Sequence, residues 1–153
     1  MRILFFCMGN ICRSPVVAAV ARARFDAAGL RFEIDSAGTE DYHVGERADP
    51  RAIASAHAAG YDIHAHRARQ LAPGDFMRFD RLYAMDRVNL RAALAACPTA
   101  ARDKVALFLP AAGLADPNEV PDPYYGGQAH FRRVIELAER GADGLIAALA
   151  KGA

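Results

Sequence analysis

Tryptophan is absent from this chain of 153 residues, cysteine occurs three times, and lysine occurs only at Lys104 and Lys151. Each scarcity excludes something. Cys7, Cys12 and Cys97 are too few for the disulfide framework of a small secreted scaffold and suit a reducing, cytoplasmic setting. A formal net charge of +1 supplies no field to draw in nucleic acid or an anionic membrane surface. No apolar stretch approaches the roughly 20 residues needed to span a bilayer. The first apolar run ends at Arg13 with no small-residue cleavage site, which argues against a secretory leader. Repeats, linkers and low-complexity segments are also missing. With 53% hydrophobic residues, the chain has enough apolar material for one self-sufficient domain over 1–153.

Strand-like and helix-like patterns alternate, which predicts an α/β fold: three layers, with a central four-stranded parallel sheet flanked by helices. Strands are expected at Arg2–Cys7, Phe32–Ser36, Arg81–Met85 and Val105–Leu109. Helices are expected from Pro15 to Ala28 behind a Ser14 cap, and from the Asp49 cap with Pro50 to Gly60. A short helical turn near Pro73–Arg78, a helix over Arg87–Ala96 and a long one over Gln128–Leu149 complete the set. Phe131, Val134, Ile135, Ala138, Leu145, Ile146 and Leu149 form an apolar stripe on the last. The loops Gly38–Ala48 and Pro110–Gly127 should meet at the carboxyl ends of the strands, where open α/β sheets bind ligands.

Between the first strand and first helix lies Cys7-Met8-Gly9-Asn10-Ile11-Cys12-Arg13-Ser14. Unpaired backbone amides at a helix amino terminus, together with the macrodipole, attract an anion there. The same setting favours the thiolate form of a cysteine. Arg13 adds a planar fork suited to two phosphate oxygens. Gly9 lets the backbone approach a ligand, and Asn10 tolerates the left-handed conformation that a tight anion nest needs. A phosphate-binding loop carrying its own nucleophile is the chemistry this spacing suits. In a chain so rich in arginine the spacing alone also arises by chance, so its placement between strand and helix carries the weight.

A second segment, Val120-Pro121-Asp122-Pro123-Tyr124-Tyr125-Gly126-Gly127, reads on its own as a surface turn. Beside a phosphate loop it reads differently. Cysteine-based cleavage of an aryl phosphate needs an acid to protonate a phenolate whose conjugate pKa is about 10. Asp122, held between two prolines, supplies such a carboxyl, and Tyr124 and Tyr125 would wall a slot for a flat ring. His64 and His66 are two apart without a third ligand at suitable spacing, so no metal is expected. Cys97, before Pro98 at a helix end, reads as packing.

These motifs and five further segments follow one another in a familiar order: Asp35-Ser36-Ala37-Gly38-Thr39, Tyr42-His43-Val44-Gly45, Asp49-Pro50-Arg51-Ala52, His66-Arg67-Ala68-Arg69-Gln70, and Met85-Asp86 with Asn89. The series resembles the low-molecular-weight protein tyrosine phosphatases almost end to end. The resemblance implies Cys7 as nucleophile, Arg13 as phosphate clamp and Asp122 as general acid in a two-step cysteinyl-phosphate mechanism. Phosphotyrosine-containing proteins would be the substrates, inorganic phosphate the product, and no cofactor would be needed. It further implies that Met8, Gly9, Asn10, Ile11, Cys12 and Ser14 surround the substrate together with Tyr42, Tyr124 and Tyr125. Ser36 and His66 would support the loop with Asn10 and Ser14, the Ser14 hydroxyl being directed at the thiolate. Cys12 matches a second loop cysteine that pairs reversibly with the nucleophile on oxidation in many members, or it fills space.

Two positions depart from the family pattern. Ala18 stands where many relatives carry glutamate, which leaves the charge of His66 open, and Tyr42 is tryptophan in some relatives. Arsenate reductases, which need a relay of further cysteines, and arginine phosphatases, which tend to carry threonine at the Ile11 position and lack the paired tyrosines, are weaker matches. A phosphotyrosine-binding module without turnover would have no use for thiol, arginine and acid together.

Overall fold

A computed structural model describes residues 1–151, so the last two residues of the expected domain lie outside the described part. Four parallel strands, β1 (Arg2–Cys7), β2 (Glu33–Gly38), β3 (Arg81–Ala84) and β4 (Val105–Leu107), form one sheet in the order β2-β1-β3-β4. The helices are α1 (Arg13–Ala27), α2 (Pro50–Ala58), α3 (Asp75–Arg78), α4 (Arg87–Ala96), α5 (Phe108–Ala111) and α6 (Gln128–Lys151).

β1 is buried on both faces, as a central parallel strand should be. Its alternation sorts the two cores. Ile3, Phe5 and Cys7 face one cluster, with Val17, Phe25 and Phe131 from α1 and α6. Leu4 and Phe6 face the other, with Phe76, Phe79 and Ala93 from the α3 and α4 side. Each fully buried side chain of this kind stabilises the fold by about 1.5–3 kcal/mol. The period of two therefore delivers Cys7 to the α1–α6 side. Because β1 pairs with β2 on one side and β3 on the other, the chain changes direction at its carboxyl end, opening a crevice beyond Cys7.

Helix ends follow local chemistry. Asp49 caps α2 by accepting the Arg51 N–H at 2.8 Å, with Pro50 at the first helical position. α1 and α2 stop at Gly29 and Gly60, whose φ values of 78° and 93° are the left-handed turn that ends a helix and favours glycine.

Three expectations need correction. α1 begins at Arg13, so Ser14 is its second residue rather than a cap, and the cap position Cys12 has no side-chain capping bond. The Ser14 hydroxyl is engaged by Asn10 and Cys7 instead. β2 runs to Gly38, two residues beyond the expected end. β4 stops at Leu107, because Phe108 turns inward to start α5; its ring meets Phe5 edge-on at 5.3 Å and occupies the space that Gly141 leaves open on α6. Pro110 is tolerated in α5 because the first turn of a helix has no partner for its N–H. A 3₁₀ turn over Thr99–Lys104, which no sequence pattern announced, leads into β4.

Candidate active site

Cys7 ends β1 almost fully buried, and the loop that follows folds around Asn10. Asn10 has φ 58°, the left-handed conformation its residue type was expected to tolerate. Every polar group it carries has a partner. Its Nδ2 donates to Ser14 Oγ at 2.8 Å and to Ser36 Oγ at 3.0 Å. Its Oδ1 accepts the Arg69 N–H at 3.0 Å, and its carbonyl lies 2.8 Å from His66 Nε2. Its own N–H donates to Cys7 Sγ at 3.3 Å. Ser36 and His66 thus support the loop from beneath.

Ser14 Oγ stands 3.0 Å from Cys7 Sγ. Since it already accepts from Asn10, its proton is free for the sulfur or for Ala37 O, and Ala37 O is the more distant at 3.4 Å. The expectation that Ser14 surrounds the substrate needs correction. Fully buried, it acts on the thiol and does not line the crevice.

Arg13 is only 3% exposed. Its Nη1 donates to Asp86 Oδ2 at 2.6 Å and to Val120 O at 3.1 Å, and its Nη2 lies 4.0 Å from Asp122 Oδ2. Burial opposes the guanidinium charge, but Cys7, Asp86 and Asp122 outweigh it and raise its pKa further. Asp86 had no assigned role in the sequence. Its Oδ1 caps α4 by accepting the Asn89 N–H at 2.8 Å, while Oδ2 orients Arg13. The usable signal was its place after a strand and three residues before Asn89, which is a helix-cap pattern.

The Asp122 side chain is half exposed and accepts the Tyr124 N–H at 3.0 Å through Oδ1. Cys7, Met8, Gly9, Asn10, Ile11, Cys12 and Arg13 form the floor of a crevice of about 440 Å³. Asp122, Tyr42, Tyr124 and Tyr125 stand around it, so those residues meet as the sequence suggested. His43 joins them unforeseen. Its ring packs so close to Gly9 that a Cβ there would lie 3.0 Å from Cδ2, so a larger residue would press the ring outward.

Burial, then the nearby Asp49 carboxylate and Cys7, push the Cys12 pKa up to about 12. Burial likewise pushes His66 below its ordinary 6.5, against the opposing pull of Asn10 O and Asp35. His64 sits 2.9 Å from Arg47 Nη1 through Nε2, and among the described residues no three His, Cys, Asp or Glu side chains gather as metal ligands would.

A buried thiol, a fixed guanidinium and a half-exposed carboxyl around one crevice can carry out phosphoryl transfer through a covalent sulfur intermediate. Known proteins agree. The family model described as "Low molecular weight phosphotyrosine protein phosphatase" matches residues 2–153. The low molecular weight protein-tyrosine-phosphatase of Streptomyces coelicolor is 43% identical over 155 residues, covering 97% of this chain and 93% of its own length. The corresponding Schizosaccharomyces pombe phosphatase is 46% identical over 135 residues, covering 86% and 85%. A crystal structure of a protein tyrosine phosphatase from Entamoeba histolytica superposes with a TM-score of 0.95 at 38% identity, over 99% of this chain and 98% of that one.

Proposed function

The chain belongs to the low molecular weight phosphotyrosine protein phosphatase family and is a cysteine-dependent protein tyrosine phosphatase, and within that activity we propose that Cys7, Arg13 and Asp122 carry the chemistry. The convergence of these three side chains on one crevice supports the assignment.

In the first step the Cys7 thiolate attacks phosphorus in line. An S–P bond forms as the bond from phosphorus to the tyrosyl oxygen breaks, and Asp122 gives its proton to the departing phenolate. Arg13 and the amides of residues 8–13 hold the three equatorial oxygens, where charge is concentrated in the transition state. Asp86 and Val120 O fix the guanidinium in advance, so little reorganisation is required at the moment of reaction. In the second step water attacks the phosphocysteine, Asp122 takes its proton, and the S–P bond breaks to release inorganic phosphate. The Ser14 hydroxyl, 3.0 Å from Sγ, stabilises the departing thiolate.

Ile11 and Tyr124 give the crevice apolar walls, which suit an aromatic ring and leave a guanidinium poorly solvated, while Tyr42 and Tyr125 add ring faces at its exposed rim. Phosphotyrosine-containing proteins are therefore the substrates, in preference to phosphoarginine. Among the described residues no helix is long and apolar enough to cross a membrane, and we assign the enzyme to the cytoplasm on its free cysteines. The test is turnover of phosphotyrosyl and phosphoarginyl peptides by the wild type and by Cys7→Ser. Wild-type preference for phosphotyrosine, lost by several orders of magnitude in Cys7→Ser while phosphate still binds, is expected. Near-wild-type turnover by the variant would remove Cys7 from its role.

A further inference from the structure

The Asp122 loop has little to hold it. Residues 121–125 form no strand or helix, and all but Pro123 are exposed. On the amino-terminal side the chain is pinned where the Val120 N–H donates to Met85 O at 2.8 Å. Among the described residues, one hydrogen bond leaves residues 121–125 for another part of the protein: Arg51 Nη1 donates to Tyr124 O at 2.9 Å.

Arg51 is itself unusually well fixed. Its Nε and Nη2 grip the two oxygens of Asp49 at 3.0 and 2.8 Å, and its guanidinium lies 5.4 Å from the Tyr124 ring centroid and 4.7 Å from that of Phe131. All three guanidinium nitrogens are used, in a planar arrangement that an ammonium group could not copy. Asp49 is tied in turn to the nucleophile loop, because its N–H donates to Ile11 O at 2.9 Å. On the far side, Tyr124 passes the position on through its N–H to Asp122 Oδ1. An unbroken series of hydrogen bonds thus runs from the floor of the crevice through Asp49, Arg51 and Tyr124 to the carboxyl that donates the proton.

Arg51 does not line the crevice. It borders a separate groove between α2 and α6, so it acts on the reaction through Tyr124. Arg51 is half exposed but Asp49 is only 8% exposed, so the pair also bears on the fold, and the substrate dependence of a loss is what separates positioning from stability. We propose that Arg51 is a positioning residue for the general acid: it sets the height of the Tyr124 backbone, and through it the Asp122 carboxyl, above the nucleophile loop. The proposal rests on the reading of Asp122 as proton donor.

The experiment compares kcat/KM of Arg51→Met, Asp122→Asn and the double variant on a phosphotyrosyl peptide and on 4-nitrophenyl phosphate, whose acidic phenol needs little protonation. Asp122→Asn tests the underlying reading, and its selective loss on phosphotyrosine is expected first. Arg51→Met should then lower kcat/KM on the phosphotyrosyl peptide about tenfold, with a clearly smaller loss on 4-nitrophenyl phosphate, because kcat/KM reports the first step, where the phenol departs, and not the hydrolysis common to both substrates. In the Asp122→Asn background the same substitution should add less than about twofold, because the group it positions no longer donates. Arg51→Lys keeps the charge but cannot reach Asp49 and Tyr124 O together, so it should show the same selective loss, and it serves if the methionine variant folds poorly. Equal losses of kcat/KM on both substrates, or an undiminished loss in the Asp122→Asn background, would overturn the role of Arg51. If Asp122→Asn lowers kcat/KM equally on both substrates, the proton-donor reading and the proposal built on it both fail.

Discussion

Replacing Asp86 by asparagine tests whether the phosphate clamp depends on the charge behind it. Asparagine keeps an acceptor for Arg13 and ranks with aspartate as a helix cap, so the lost charge is nearly the only change. In wild type the ion pair is short, 2.6 Å, between an almost fully buried guanidinium and a carboxylate that keeps some contact with water. At an effective dielectric near 20, unit charges about 4 Å apart attract by about 4 kcal/mol. Solvent contact at Asp86 and the opposing cost of desolvation reduce the net effect to about 1–2 kcal/mol. If that energy serves mainly to hold the fork in place, kcat/KM should fall about 5- to 30-fold, the rate equivalent of 1–2 kcal/mol. Phosphate binding should respond differently. Removing a carboxylate makes the site more positive, so the inhibition constant for inorganic phosphate should stay level or fall while turnover drops. Asp86→Ala removes the α4 cap as well, costing about 1 kcal/mol more and lowering Tm by roughly a further 2–4 °C. Steady-state kinetics, phosphate inhibition and thermal melts read all three. Turnover within twofold of wild type, or phosphate inhibition weakened in step with kcat, would refute a positioning role for Asp86.

Two further outcomes follow from the titrating groups. Because burial holds His66 below 6.5, the unfolded chain takes up a proton that the folded one refuses; stability is complete above that pH and declines as pH falls beneath it. Tm should therefore drop more between pH 7.5 and 5.5 in wild type than in His66→Gln, and equal drops would show that His66 is not the group responsible. The second outcome concerns oxidation: peroxide should inactivate the enzyme through a sulfenic acid at Cys7, which Cys12 captures as a disulfide with loss of water. With its pKa near 12, Cys12 attacks as a thiolate only sparingly at neutral pH, so the share of activity recovered with dithiothreitol should rise toward alkaline pH in wild type and stay low in Cys12→Ser. Full recovery by Cys12→Ser would make Cys12 a packing residue.

The sequence announced what local pattern determines. The apolar run Arg2–Cys7, the Asp49-Pro50 start of α2 and the stop signals at Gly29 and Gly60 each act within a few residues, and the fold follows them. The run from Val105 to Leu109 misled because a short apolar stretch reads equally well as strand or helix, and the choice was made by Phe108 finding space beside Gly141. Ser14 misled because a serine before a proline is an ordinary cap, while here its hydroxyl accepts from Asn10 and faces the Cys7 sulfur. That Cys7, Arg13 and Asp122 gather at one crevice was legible through their spacing and through the family likeness. Asp86 and Arg51 were not, since each acts on a partner 73 residues away and no local pattern records such a pairing.

Asn10 has a consequence for how ligands are received. With its amide, carbonyl and both backbone groups engaged, the loop has no second arrangement of comparable quality, because any other conformation would strand several buried polar groups at once. A loop of this kind behaves as a mould already set. An arriving phosphoryl group finds its contacts in place and bears no ordering entropy on behalf of the protein. Discrimination among phosphate esters then falls to the rim, where Tyr42 and Tyr125 stand largely in solvent and remain free to adjust. The enzyme thus separates a rigid reader of phosphate from a compliant reader of whatever carries it.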